Sequence, residues 1–369
     1  MINEKKVRIG IAGCGWIARK AHIPALRKID NAVLSAVFDI NCEQAASAAR
    51  EYDIPNIYQS FKELVQSDID AVIICTPNYL HGKHSIMALE YGKHVLCEKP
   101  VALSLEEIKN VISVAERNKR LFIPGQVNRF RYDIQKINEI ISSGEIGQVA
   151  SIKAGWLRRS GIPRPGTWFT CKEYSGGGVL VDLGSHIIDI CLMFMGDREY
   201  CQTELFTVRS NGRSSASSAL WFKSEEKSVL PINVEEEAEA RISFEGNARI
   251  DLKLSWCSQI KGDITYFKIL GNKGSIKLIT LFGFSDDRLY KTDLLRLKSE
   301  SGTETEIYLD KSTNSTKNAF EEMEEYFISR VCGNFSGFLT QDDGLRTVAL
   351  IEELYNNEIT CDKAIVIKR

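Results

Sequence analysis

The chain is 369 residues long, 44% apolar and 26% charged, with a net charge of −2 and a pI near 6.3. This balance is ordinary for a soluble globular protein. It excludes bulk electrostatic attraction to nucleic acid or to a membrane surface.

At ~100–200 residues per domain the length allows two domains. No apolar run reaches the ~18 residues of a bilayer span; the nearest, Val179 to Met195, is broken by Asp182, His186 and Asp189. The first six residues lack the apolar stretch of a signal peptide, so a cytoplasmic protein is expected. The ten cysteines are scattered with no C-x-x-C spacing, so no metal is expected.

Val7 to Ala12 reads as a buried strand. Gly13-Cys14-Gly15-Trp16-Ile17-Ala18 follows, then a helical segment to about Ile29. In this G-x-G-x-x-A turn, Gly13 permits the tight bend, Gly15 lets a pyrophosphate reach the backbone, and Ala18 lets helix pack on strand. The helix start would offer N–H groups to the phosphates. The next strand, Val33 to Phe38, ends in Asp39, 24 residues after Gly15. Asp39 is either the acceptor for an adenosine ribose or an ordinary strand-end turn residue. No arginine follows in Asp39-Ile40-Asn41. A 2′-phosphate ~4 Å from Asp39 would be repelled by roughly 4 kcal/mol at an effective dielectric near 20, which favours NAD over NADP.

Strand and helix then alternate: Ile57-Tyr58, helix Phe61 to Gln66, strand Ala71 to Cys75, helix His84 to Tyr91 and strand His94 to Cys97. A helix from Ser104 to Asn118 and the strand Leu121 to Ile123 complete the series. Ser104 with Glu107 is a capping box. This alternation predicts a doubly wound parallel sheet, with ligands at the carboxyl ends of its strands, where Thr76, Asn78, Lys99 and Gln126 fall. Glu98-Lys99-Pro100 ends one of these strands, 86 residues after Gly13 in the case of Lys99.

Past Phe130 the pattern changes. A helix from Ile134 to Ser142 leads to strands and a loop, Trp156 to Trp168, rich in Arg, Pro, Trp and Gly. Arg158, Arg159 and Arg164 either recognise a carboxylate or phosphate or serve as surface charges or subunit contacts. Trp156 and Trp168 either stack on a sugar face or pack. Gly176-Gly177-Gly178 opens an apolar segment in which a helix would set Asp182, His186 and Asp189 on one face. His186 is then either a base oriented by Asp182 or a core histidine, and Asp189 is structural. Strand-like runs follow: Glu204 to Val208, Ala219 to Phe222, Glu239 to Phe244, Arg249 to Trp256, Tyr266 to Leu270 and Ser275 to Ile279. Turns at Asn211-Gly212, Gly246-Asn247 and Asn272 to Gly274 separate them. They predict a largely antiparallel sheet with one face covered. Glu235-Glu236-Glu237 reads as a solvated stretch and Ser214 to Ser218 as a flexible connection. A last helix, about Asp343 to Tyr355, is expected to return to the first domain. The predicted division is 1–127 for a dinucleotide domain, 128–340 for a substrate and oligomerisation domain, and 341–369 for the returning helix and tail.

In this order the motifs resemble the glucose–fructose oxidoreductase / inositol dehydrogenase (Gfo/Idh/MocA) family over nearly the whole chain. The resemblance rests on Gly13 to Ala18, Thr76-Pro77-Asn78 with His81, Glu98-Lys99-Pro100, and Gly176 to His186. It implies an N-terminal Rossmann domain beside a large, open, mostly antiparallel sheet, an NAD(P)-dependent enzyme acting on CH–OH groups, and a homodimer or homotetramer. It implies a Lys99-Pro100 bond that is commonly cis, and Lys99, His186 and Asp182 as the catalytic set. Gly13, Gly15, Trp16, Ile17, Asp39, Thr76, Asn78, His81, Glu98, Lys99 and Gln126 are then the cofactor residues, with Asn128, Arg158 and Trp168 facing substrate. The expected reaction passes hydride between a secondary alcohol of a sugar, sugar derivative or cyclitol and the nicotinamide. A non-catalytic dinucleotide-binding sensor, or glycoside cleavage through a keto sugar, are the alternatives.

Overall fold

The computed structural model describes residues 6–209, 230–310, 313–333 and 337–362. The chain forms two compact units, Met1–Phe130 with Lys317–Val348, and Arg131–Thr316 with Ala349–Arg369. The return to the first unit therefore begins at Lys317, before residue 341, and stops at Val348. The rest of the Gln341–Asn356 helix belongs to the second unit.

In the first unit, β1 (Val7–Ala12), β2 (Ala32–Phe38), β3 (Asn56–Tyr58), β4 (Ala71–Ile74), β5 (His94–Cys97) and β6 (Phe122–Pro124) make one parallel sheet. Its order, β3-β2-β1-β4-β5-β6, is that of a Rossmann fold. All four residues of β4 are buried, as a strand covered on both faces requires. The helices are fixed by local chemistry. Asn41 caps Cys42–Tyr52 by accepting from Glu43 and Gln44, and Ser104 Oγ accepts from the Glu107 N–H to start Leu105–Asn118. Glu107 returns its carboxylate to the N–H of Leu103 at 2.8 Å, one residue earlier than in a reciprocal capping box. The first glycine-rich turn leads into a π-helical stretch, Ala18–His22, and a short α-helix that stops at Leu26.

In the second unit, β7 (Val149–Leu157), β8 (Tyr200–Arg209), β9 (Glu237–Phe244), β10 (Arg249–Ser255), β11 (Ile264–Gly271), β12 (Ser275–Thr280), β13 (Leu294–Lys298), β14 (Glu304–Ile307) and β15 (Glu358–Asp362) form a sheet of order β14-β13-β12-β11-β7-β10-β9-β8-β15. It is antiparallel except for the β7–β10 and β8–β15 pairs. Alternate residues such as Ile250, Leu252 and Leu254 of β10 enter one core with the Ser185–Met195 helix. Burying each of these side chains contributes about 1.5–3 kcal/mol.

Lys172–Met195 meets the length and composition of a membrane span, contrary to the expectation from its charged residues, and 89% of its apolar window is buried inside the fold. The expected solvated run is also corrected. Glu235 and Glu236 are buried, because Glu235 caps the backbone of a neighbouring segment. The readings at Asn211-Gly212, Ser214 to Ser218 and Ala219 to Phe222 lie outside the described residues.

Candidate active site

In the first unit the predicted cofactor residues gather at the carboxyl ends of β1, β2, β4, β5 and β6. Gly13 has φ +89°, and a Cβ there would lie 2.6 Å from the Cys75 carbonyl oxygen, so the turn between β1 and β4 admits only glycine. A Cβ on Gly15 would meet nothing within 4 Å. The backbone at Gly15 is thus open to a ligand, as a pyrophosphate needs. Trp16 and Ile17 follow, and Ala18 is buried. Asp39 ties the turn together: Oδ2 accepts from Cys14 N–H at 2.7 Å and Oδ1 from Asn41 N–H at 2.8 Å. A carboxylate has about four acceptor sites, so Asp39 serves the turn and retains capacity for a ribose. Burial, then Asp39, pushes the neighbouring Cys14 thiol up to about 12.

Thr76 and Asn78 follow β4 and are buried. Thr76 Oγ1 lies 3.2 Å from His84 Nδ1. His81, expected at the cofactor, is buried with its ring nitrogens 2.7 and 2.6 Å from the carbonyl oxygens of Pro100 and Thr76. It braces the turns after β4 and β5. Burial lowers its pKa, and the two carbonyls pull against that shift because each takes an N–H. After β5, Glu98 accepts from the Lys99 backbone N–H at 3.1 Å, and Lys99-Pro100 is cis. After β6, Gln126 and Asn128 are buried, and among the described residues neither Gln126 Oε1 nor Asn128 Oδ1 has a hydrogen-bond partner. Two enclosed acceptors without donors are costly in isolation and fit a ligand that brings N–H or O–H groups. Together with the opening at Gly15, the Gln126 acceptor fits a dinucleotide.

In the second unit, Asp182 sits in a π-helical turn, Leu180–Gly184, that runs into the Ser185–Met195 helix carrying His186. The i→i+5 bonding of that turn replaces the uniform α-helical face expected for Asp182 and His186. The adjacent parallel strands β7 and β10 deliver Arg158 and Trp256 to Asp182 Oδ2. Trp256 Nε1 donates at 3.0 Å and Arg158 Nη1 lies at 3.5 Å. Arg158 is thus buried beside Asp182, its guanidinium 5.4 Å from the Trp156 ring centre. Burial lowers its pKa while Asp182 and Asp263 oppose the shift. Trp156 is buried 5.9 Å from the His186 ring, as a packing residue. Trp168 opens a short 3₁₀ helix, Trp168–Thr170, with its ring 5.3 Å from Phe169, which itself lies 6.2 Å from Trp256. Arg159 pairs with Asp287 at 2.8 Å.

Upstream of Asp182, Glu235 Oε1 accepts from Gly178 N–H, Leu180 N–H and the Tyr355 hydroxyl at 2.9, 3.0 and 2.8 Å. Burial raises its pKa against these three bonds. Trp256, Glu235 and Tyr355 escaped the sequence reading. Trp256 carried only the faint signal of a strand-end aromatic, and the other two carried none.

Residues 7–126 match the family model described as an oxidoreductase family with an NAD-binding Rossmann fold, and residues 134–277 match the Gfo/Idh/MocA C-terminal domain. The chain is 31% identical to a glucose-6-phosphate 3-dehydrogenase of Bacillus subtilis, over 74% of both chains. It is 33% identical to a D-glucoside 3-dehydrogenase of Escherichia coli, over 53% of this chain and 56% of the relative. In fold it is similar to a levoglucosan dehydrogenase solved with NADH and levoglucosan, at TM-score 0.78 and 21% identity over 96% of this chain and 97% of that one.

Proposed function

From the premise that this chain belongs to the Gfo/Idh/MocA family of oxidoreductases, we propose that it oxidises the C3 hydroxyl of a glucose-configured sugar with NAD. The observation that carries the reading is the convergence in the first unit of the Gly15 opening, Lys99 and the two unpartnered acceptors of Gln126 and Asn128. The choice of C3 is supported by two relatives named for oxidation at that carbon.

Gly13 to Ile17 hold the pyrophosphate and Asp39 the ribose, with Thr76, Asn78, Glu98 and Gln126 around the nicotinamide half. Bound NAD supplies the hydride acceptor. Lys99 donates to the sugar oxygen and stabilises its developing negative charge. His186 takes the hydroxyl proton, Asp182 orients His186 or the sugar, and Asn128 accepts from a sugar hydroxyl. NAD is preferred over NADP because Asp39 would repel a 2′-phosphate and Ile40-Asn41 supplies no cation. The enzyme acts as a homodimer or homotetramer in the cytoplasm, where the nine cysteines that form no disulfide among the described residues stay reduced.

The test is NADH formation with glucose, glucose 6-phosphate, methyl glucoside and a nucleotide-linked glucose, with the product's keto carbon located by carbon NMR. Asp39→Asn should lower the ratio of kcat/KM for NAD over NADP at least about tenfold. An unchanged ratio removes Asp39 from cofactor choice, and a keto group at another carbon removes the C3 reading.

A further inference from the structure

His22 stands in the first unit between two carboxyl groups far apart in sequence. Its ring is wholly enclosed. Nδ1 meets Glu324 Oε1, and Nε2 lies 2.9 Å from Glu98 Oε1. The other oxygen of Glu98 accepts from the backbone N–H of Lys99. Phe320, one turn before Glu324 on the same helix, sets its ring edge against the imidazole at 5.1 Å. When Glu98 and Glu324 are both ionised they only accept, and the ring then satisfies both only with a proton on each nitrogen.

We propose that His22 is a positioning residue for the lysine site: anchored by Glu324, it clamps the Glu98 carboxylate against the Lys99 backbone and fixes the direction of the lysine side chain. The proposal rests on the oxidoreductase reading for its effect on rate, and on geometry for the clamp itself. The titratable groups around the ring are Glu98, Glu324 and Cys75. Burial alone would discharge the imidazole, but its contact with Glu324 raises its pKa; Cys75, its own thiol pushed up by burial, is uncharged near neutral pH and adds no such support there. Glu324, itself raised by burial, keeps Oε2 enclosed and without a partner among the described residues, so its one strong bond goes to His22. A row of this kind exerts its effect through orientation, because a shift of about 1 Å at a reacting group costs on the order of 10²-fold in rate.

The experiment combines nitrogen-15 histidine NMR of the full chain with kinetics. His22, assigned by the signals lost in His22→Gln, should show two N–H groups at pH 7. His22→Gln should lower kcat about 10²-fold while NAD affinity, read by calorimetry, stays within about threefold. Glu324→Gln keeps the shape and removes the charge. The ratio of its kcat to that of the wild type should fall as pH rises through neutrality, a change that a merely structural contact would not produce. A neutral His22 ring at pH 7, or an unaltered kcat in folded His22→Gln, overturns the clamp. A wild-type enzyme that binds NAD but oxidises no sugar overturns the oxidoreductase reading and leaves the NMR result to decide the clamp by itself.

Discussion

Adding one methyl group at Gly13 and one at Gly15 should have different consequences, although the two glycines belong to the same turn. At Gly13 the backbone is left-handed, which costs a residue with a Cβ roughly 1–2 kcal/mol. The new Cβ would also press on backbone, 2.6 Å from Cys75 O, 2.7 Å from Cys75 C and 2.9 Å from Thr76 N. No flexible side chain is present to yield, so the overlap adds about 1–3 kcal/mol of the kind seen on overpacking. Gly13→Ala should therefore lose roughly 2–5 kcal/mol, and at about 2–4 °C per kcal/mol its Tm should fall visibly. It should also bind NAD poorly, because β1 and β4 are pushed apart at the ligand edge. Gly15→Ala meets nothing within 4 Å and has no left-handed φ, so its Tm should be equal to or slightly above wild type. Its methyl group occupies the space kept for the pyrophosphate, and NAD affinity should fall about 10–100-fold, equivalent to about 1–3 kcal/mol. Differential scanning calorimetry and NAD titration on the two variants separate these terms. Normal NAD affinity in Gly15→Ala, or an unchanged Tm in Gly13→Ala, would refute the assignment of fold strain to one glycine and ligand space to the other.

Three further outcomes follow from the same reasoning. Trp256→Phe removes the N–H donor from Asp182 Oδ2; it should reduce kcat about tenfold and stability by about 1 kcal/mol, by steady-state kinetics and urea unfolding. Glu235→Ala strips the acceptor from two backbone N–H groups and the Tyr355 hydroxyl, and should cost about 2–3 kcal/mol, with Glu235→Gln losing less because its amide oxygen still accepts. His22 has a folded pKa raised above its unfolded value. Its contribution to stability should thus be complete below about pH 6.5 and should decline as pH rises through the folded pKa. The wild-type Tm should fall more steeply than that of His22→Gln over this alkaline window.

Much of the first unit was legible because its strands are short, continuous apolar runs and its turns carry diagnostic glycines. Val7 to Ala12 falls where the residues place it, and the strand expected over Ala71 to Cys75 runs Ala71–Ile74. The Cys42–Tyr52 helix escaped notice because its buried face is Ala45, Ala48 and Ala49, too small to stand out from a loop. The Thr316–Val331 helix was passed over, although Ala319, Phe320, Met323 and Phe327, all buried, recur at helical spacing. The acidic triplet at Glu235 misled because charge normally means solvent, and only a three-dimensional fold brings the N–H groups of Gly178 and Leu180 to it. The contact of Arg158 with Asp182, 24 residues distant, is likewise made only by the fold, at the end of β7. The pairing of His22 with Glu324, 302 residues apart, leaves no trace in a local pattern.

The central claim is most directly tested by following NAD reduction with glucose, glucose 6-phosphate, methyl glucoside and a nucleotide-linked glucose, using wild type and Lys99→Ala and identifying the product carbon. The account predicts NADH and a 3-keto sugar from at least one of these compounds, with both abolished by Lys99→Ala. Turnover that persists in Lys99→Ala, or no turnover of any of them by a wild type that binds NAD, would contradict it.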